Sequence, residues 1–212
     1  RYHAMVLDTP ATIAITGNGP IGLEAALYAR FLGYQVILVG ETSLADMLAT
    51  GDNIELDIRL SDLSSTLGRA ALAAHDEQQP ISPDTSLLSC QGWYESYLGP
   101  LSRTDLLADQ QKWQVTLESI TPSERGLLLA AGESDESLEV DAVIDGKEQS
   151  LPVDRVYQLP EVRLQGLTPD SLEGAFRGGL SAIRELFALL GGRQDLDLYD
   201  SVGYLPGADD ST

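Results

Sequence analysis

A chain of 212 residues can bury roughly 70 per cent of its unfolded surface, enough for one sizeable core and a small second lobe. Its 33 acidic and 13 basic residues leave a net charge of -20, which repels nucleic acid and anionic lipid at long range and demands a locally positive pocket for any anionic ligand. One cysteine, Cys90, and two histidines, His3 and His75, exclude an intramolecular disulfide and a Cys-x-x-Cys redox pair, and leave almost no material for a soft-metal site or a serine triad.

No apolar run approaches the ~20 residues that span a bilayer, and the N-terminus lacks the charged and apolar regions of a signal peptide, so the expected location is the cytoplasm. Arg1 to Ala4 read as a non-native extension before Met5. Residues 5–205 then form one domain, followed by a disordered tail over 206–212.

The first element is the apolar run Thr12-Ile13-Ala14-Ile15-Thr16, followed by Gly17-Asn18-Gly19-Pro20-Ile21-Gly22 and a helical stretch from Leu23 to Leu32. In a strand, turn and helix unit the first glycine permits the tight turn, the second lets a pyrophosphate approach the backbone, and the third lets helix pack on strand. The phosphate then rests on the amide donors of the helix N-terminus, where Pro20 costs nothing because no donor is needed there. A second strand, Gln35 to Val39, completes a βαβ unit.

Ser43 reads as the cap of a short helix through Leu48 that Gly51 ends. Leu60, Leu63, Leu67, Ala70, Ala71 and Ala74 recur at helical spacing with Ser61 as the cap, and His75 sits at the solvated end. Residues 76–86, with Pro80 and Pro83, read as an exposed linker. Tyr94 to Gln111 reads as a helix kinked at Gly99-Pro100, its aromatic residues Trp93, Tyr94 and Tyr97 belonging to the core. Three β-like runs follow, Trp113 to Ile120, Gly126 to Ala131 and Leu138 to Ile144, as a meander leading into a buried strand, with one more strand over Val153 to Leu159. Thr168-Pro169-Asp170 starts a last helix, whose stripe of Leu172, Phe176, Leu180, Ile183, Phe187 and Leu190 ends at Gly191-Gly192. The expected fold is α/β, a Rossmann-type parallel sheet with flanking helices and a small β-meander.

The stretch from Ile13 to Arg30 resembles the flavin-binding start of thioredoxin-reductase-like and flavin-monooxygenase-like flavoproteins, with Ala26 and Gly33 where that family has them. The resemblance is specific over residues 11–41 and architectural beyond. It implies an adenine dinucleotide held by Gly17, Asn18, Gly19, Pro20, Ile21 and Gly22, FAD ahead of NAD or NADP, with Glu41 on the ribose and the N-terminus of the last helix, Pro169 to Leu172, aimed at the flavin ring.

The departures from that family are specific. Its ribose acid falls at the position of Gly40, one residue before Glu41; its Thr-Gly turn is replaced by Asp145-Gly146-Lys147-Glu148; and its closing Gly-Asp is replaced by Pro160-Glu161. The inserted nicotinamide domain, with a second glycine loop, is absent from the pattern. Lys147 and Arg155 are weighed as phosphate partners and read as solvated charges; the alternating acids at 52–57 and at Asp195, Asp197 and Asp200 lack calcium-loop spacing. No residue pair reads as a catalytic acid and base. Three readings stay open: a flavoprotein-like, oxidoreductase-related domain whose reductant site lies on a partner chain; a Rossmann pseudoenzyme serving as an interaction module; and a half-enzyme completed in a homo-oligomer or hetero-oligomer.

Overall fold

The computed structural model describes residues 6–17, 19–40, 55–75, 87–108, 111–132, 135–146, 154–160, 162 and 168–201. The expected helix after Ser43, the linker at 76–86 and the tail at 206–212 lie outside them.

β1 (Thr12–Thr16) is mostly β-branched, and Ile13 and Ile15 face one side of the sheet while Ala14 faces the other. Helix α1 (Pro20–Phe31) returns the chain to β2 (Gln35–Val39), which lies parallel to β1 in register from Thr12 against Gln35 to Thr16 against Val39. Every residue of α1 from Pro20 to Ala29 is buried.

After β2 the chain leaves the sheet. β3 (Glu55–Arg59) pairs antiparallel with β4 (Leu87–Ser89), and between them lie a 3-10 turn (Leu60–Leu63) and α2 (Thr66–His75). The single helix expected from Leu60 is thus divided, and its cap is Ser65 rather than Ser61: the Ser65 hydroxyl accepts from Gly68 N at 2.8 Å. Leu60 and Leu63 fit a three-residue turn as well as an α-helix, which is why their spacing does not show the break.

A helical run, α3, starts at Cys90–Trp93, where Ser89 Oγ caps Gly92 N at 3.0 Å, widens into a π-turn over Tyr94–Leu98 and closes with Gly99–Leu101. The Gly99 amide reaches back five residues to the Tyr94 carbonyl. This widening sits where Pro100 would otherwise lack a donor and crowd the preceding turn, so the expected kink takes the form of a π-bulge. A turn then leads to α4 (Asp105–Ala108).

The β-rich region divides differently from its hydrophobic pattern. β5 (Gln111–Trp113) is the outer strand of the main sheet, parallel to β2, while the meander is β6 (Leu117–Pro122), β7 (Leu127–Ala131) and β8 (Ser137–Val140). The run expected as one strand from Leu138 to Ile144 is two, β8 and β9 (Ala142–Asp145), separated at Asp141. Asp141 exchanges bonds with Thr12: its carboxylate accepts from Thr12 N at 2.7 Å and its amide donates to Thr12 O at 2.9 Å, which moves the chain from the meander into the main sheet. With β10 (Val156–Gln158) the main sheet has the order β10-β9-β1-β2-β5, all parallel.

The last helix, α5 (Pro169–Leu190), starts at Thr168, whose hydroxyl accepts from Ser171 N, and is followed by α6 (Leu198–Ser201). Helices cover the Ile13 and Ile15 face of the sheet, and the meander covers the opposite face through Ala14, Ile37, Val39 and Val143. No helix among the described residues is long and apolar enough to cross a membrane.

Two close contacts set α1 in place. A Cβ on Gly22 would fall 2.1 Å from the Gly17 carbonyl oxygen, and one on Gly179 of α5 would fall 2.3 Å from Ile21 Cδ1. Tyr28 stacks on Phe187 at 5.2 Å, so Ile21 and Tyr28 meet Gly179 and Phe187 in step and the two helices run parallel. Gly22→Ala is expected to lower stability by at least about 2 kcal/mol in urea unfolding, because backbone must move. Gly174→Ala, on an exposed turn of α5 with nothing within 4 Å, is expected to leave stability equal or raised by about 1 kcal/mol.

Candidate functional site at the carboxyl edge of the parallel sheet

The glycine loop stands at the carboxyl ends of β1 and β9, beside the point where neighbours of β1 depart in opposite directions. Ligands of open parallel sheets collect at such a switch point. Gly17 has φ +89°, a conformation that other residues adopt only with strain. Gly19 is the N-cap of α1 and supplies no side-chain hydrogen bond to it, and Pro20 at the first position has no amide to satisfy. The helix therefore opens without a side-chain cap, onto a loop whose Gly17 and Gly19 remain partly exposed. Such an end accepts an oxyanion readily.

Pro20, Ile21 and Gly22 are buried. The Ile21 side chain packs towards Gly179, so within the expected cradle Ile21 serves the α1–α5 contact and offers a ligand only its backbone. Asn18 and Glu41 lie outside the described residues, as do Lys147 and Glu161. Gly146 is held close to the loop: a Cβ there would lie 2.9 Å from Thr16 O, and one on Gly17 would lie 3.4 Å from Gly146 C. Asp145 is buried and accepts a 2.5 Å hydrogen bond from Thr16 Oγ1.

A crevice of about 150 Å3 opens here between Thr16, Val39, Gly40 and Asp145 of the sheet and residues 115–120 of the meander. Pro160 is exposed and does not line it. Arg155 precedes β10 and therefore sits at the amino edge of the sheet, away from the loop, where its guanidinium donates to Arg125 O at 3.3 Å. Because α5 runs parallel to α1 and meets the start of α1 at Gly179, its first ten residues project about 15 Å past that point at 1.5 Å per residue. Pro169 to Leu172 thus lie on the carboxyl-edge side of the molecule.

No protein-family model matches the chain, and no match was found among curated proteins. Similar solved structures include the bacillithiol disulfide reductase of Staphylococcus aureus, at 12% identity and TM-score 0.42 over 64% of this chain and 38% of that one. A ferredoxin-flavin thioredoxin reductase from Clostridium acetobutylicum is 21% identical at TM-score 0.41, over 68% and 40%. CtdE, solved in complex with FAD, is 14% identical at TM-score 0.43, over 65% and 38%. The chain spans about two fifths of the length of these structures. Its α/β fold is established by the parallel sheet, the helix layer and the meander themselves.

One acidic side chain of α1 carries a signal that the motif does not. Glu24 is fully buried beneath α2, α3 and α6. Its Oε1 accepts from the Tyr97 hydroxyl, which itself accepts from Ser65 N at 3.0 Å, while Oε2 has no hydrogen-bond partner among the described residues. Desolvation raises its pKa to about 7, against the opposing hydrogen bonds of Tyr97 and Ser65. Burial also pushes Tyr97 and Tyr199 well above the usual tyrosine range, with the Glu24 charge adding to both. The cue in the sequence is a carboxylate inside a helix that has no polar stripe.

The folded state thus holds a proton on Glu24 that the unfolded chain releases near 4.5. The associated stability is complete below about pH 4.5, falls as pH rises through 7 and is then lost, a change on the order of 3 kcal/mol. Glu24→Gln is expected to gain stability relative to the parent by that order between pH 4 and 8 in urea unfolding. A stability difference that stays constant over this range would refute a buried neutral Glu24.

Proposed function

We propose that residues 5–205 form one dinucleotide-binding unit that holds FAD, ahead of NAD or NADP, with its pyrophosphate on the backbone of Gly17 to Gly22. The observation that carries this reading is the uncapped start of α1, directly behind a positive-φ glycine at the carboxyl edge of a parallel sheet. Asn18 and Gly19 border the phosphate, and Glu41, immediately after Gly40, accepts from the adenosine ribose. The projecting N-terminus of α5 is the element that faces the ring. Gly22 and Gly146 let the backbone around the loop pack closely: a Cβ on Gly22 would meet Gly17 O at 2.1 Å, and one on Gly146 would meet Thr16 O at 2.9 Å.

When bound, the flavin supplies hydride and electron transfer; the protein binds, orients and shields it. The reading is of an oxidoreductase-related cytoplasmic domain whose reductant site lies on a partner chain or a second copy. A second reading, a pseudoenzyme used as an interaction module, is favoured by the buried Asp145 carboxylate and by a crevice smaller than the roughly 300–1,000 Å3 of small-molecule sites.

The freshly purified protein is expected to be yellow or, when stripped, to gain about 2.7 kcal/mol of stability at FAD a hundred times above its Kd. Gly19→Glu, which places a carboxylate at the phosphate position, is expected to abolish both signals. A colourless protein that FAD, NAD and NADP all leave unshifted would reject dinucleotide binding and favour the interaction module.

A further inference from the structure

A second concavity, of about 310 Å3, lies on the helix side of the sheet and shares no lining residue with the carboxyl-edge crevice. Three arginines meet in its wall: Arg69 from α2, and Arg177 and Arg184 from α5. The chain has only 13 basic residues against 33 acids, so three guanidinium groups around one small space are a concentration of scarce charge. Arg177 and Arg184 are seven apart, hence two turns apart on the same helix face, with Ser181 between them.

The two α5 arginines are each held by acids, of which Asp62 and Asp197 share the wall. Arg177 Nη2 is 3.2 Å from Asp62 Oδ1 and 2.8 Å from Glu173 Oε1, and these are the contacts of that one nitrogen. Arg184 Nη1 lies 3.2 Å from Asp197 Oδ2, with Glu185 at 3.8 Å from Nη2. Asp197 is itself held by its Oδ1, which accepts from Tyr199 N at 3.0 Å and Asp200 N at 3.2 Å. A guanidinium has five donors, so pairing through one nitrogen in Arg177 and through two in Arg184 orients each fork and leaves donors for a ligand.

Arg69 differs from both. Its hydrogen bond is to Ser64 Oγ at 3.5 Å, and it makes no ion pair among the described residues. It stands one turn into α2, whose cap Ser65 and first residue Thr66 also line the space. The Ser64 and Ser65 hydroxyls are engaged inside the protein, by Leu60 O and by Gly68 N and Tyr97. The donor left facing the space is therefore Arg69, an arginine with no ion pair among the described residues, one turn into a helix, which suits an oxyanion. Asp62 and Asp197 in the same wall limit its excess positive charge, which suits a small ligand of one or two negative charges and not a polyanion. Leu180 and Tyr199 give the space an apolar flank for a short carbon chain.

We propose that the Arg69–Arg177–Arg184 pocket binds a small metabolite through a carboxylate or phosphate group, independently of the glycine loop. The test titrates inorganic phosphate and, separately, malonate into the full chain by calorimetry and thermal shift, against sodium chloride of equal ionic strength. Saturable one-to-one binding of at least one anion beyond the chloride control is expected, with the preferred anion separating a phosphorylated from a carboxylic ligand. Arg69→Gln should weaken it at least tenfold, Arg69→Lys less, and Arg193→Gln, an exposed charge beyond α5, not at all. Circular dichroism checks that each variant is folded. Binding no stronger than chloride, or an unchanged Kd in Arg69→Gln, would overturn the proposal. FAD binding by the same variants is expected to be unaltered, so the two sites fail or succeed separately.

Discussion

The structure is organised around α1, which is enclosed on all sides. Its first turn leaves β1 through a backbone contact so tight that no side chain fits at Gly22, and its flank meets α5 where no side chain fits at Gly179. A helix of a soluble domain ordinarily keeps one polar stripe in water; α1 from Pro20 to Ala29 keeps none. The sheet therefore lies against one side, α5 against another, and α2 to α4 close the remainder. The same packing holds Gly17 and Gly22 against each other, and an uncapped helix start at a strand end is the kind of end at which an anion is readily held.

The same enclosure explains the chemistry of Glu24. A carboxylate in such a helix has no route to water, and one donor from Tyr97 satisfies only one of its oxygens. Burial favours the neutral form, so the fold withdraws roughly half of the charge that the sequence assigns to this residue at neutral pH. Positive charge is treated in the opposite way. The few arginines near α2 and α5 are gathered into one wall, and two of them are oriented by acids whose own places are set by helix ends. An acidic protein can thus present local donors to an anion despite its overall field.

The βαβ unit and the last helix are legible in the sequence because their signals are local: the mostly β-branched run of β1, Pro20 at a helix start, Thr168 as a cap and glycines at 191 and 192. The β-rich region is less legible. Trp113 belongs to the main sheet through pairing with Val39, and the run from Leu138 to Ile144 breaks at Asp141 because that residue bonds to Thr12, 129 positions earlier. Hydrophobicity reports that a strand is buried and not which sheet it joins. The cap at Ser65 and the π-turn before Pro100 are hidden for a related reason, since three-, four- and five-residue turns share much of one apolar spacing.

By itself the sequence determined that a glycine turn joins a strand to a helix, that a second strand follows, and that, with one cysteine and two histidines, the chain has almost no material for a triad or a soft-metal centre. These depend on residue types within a few positions of one another. Tertiary structure alone decided that Gly146 backs Gly17, that Arg155 is at the wrong edge of the sheet to meet a phosphate there, that Glu24 is cut off from water, and that Arg69, Arg177 and Arg184 share one wall. Each of these depends on which distant elements pack together, and burial and charge proximity are properties of that packing rather than of any segment in isolation.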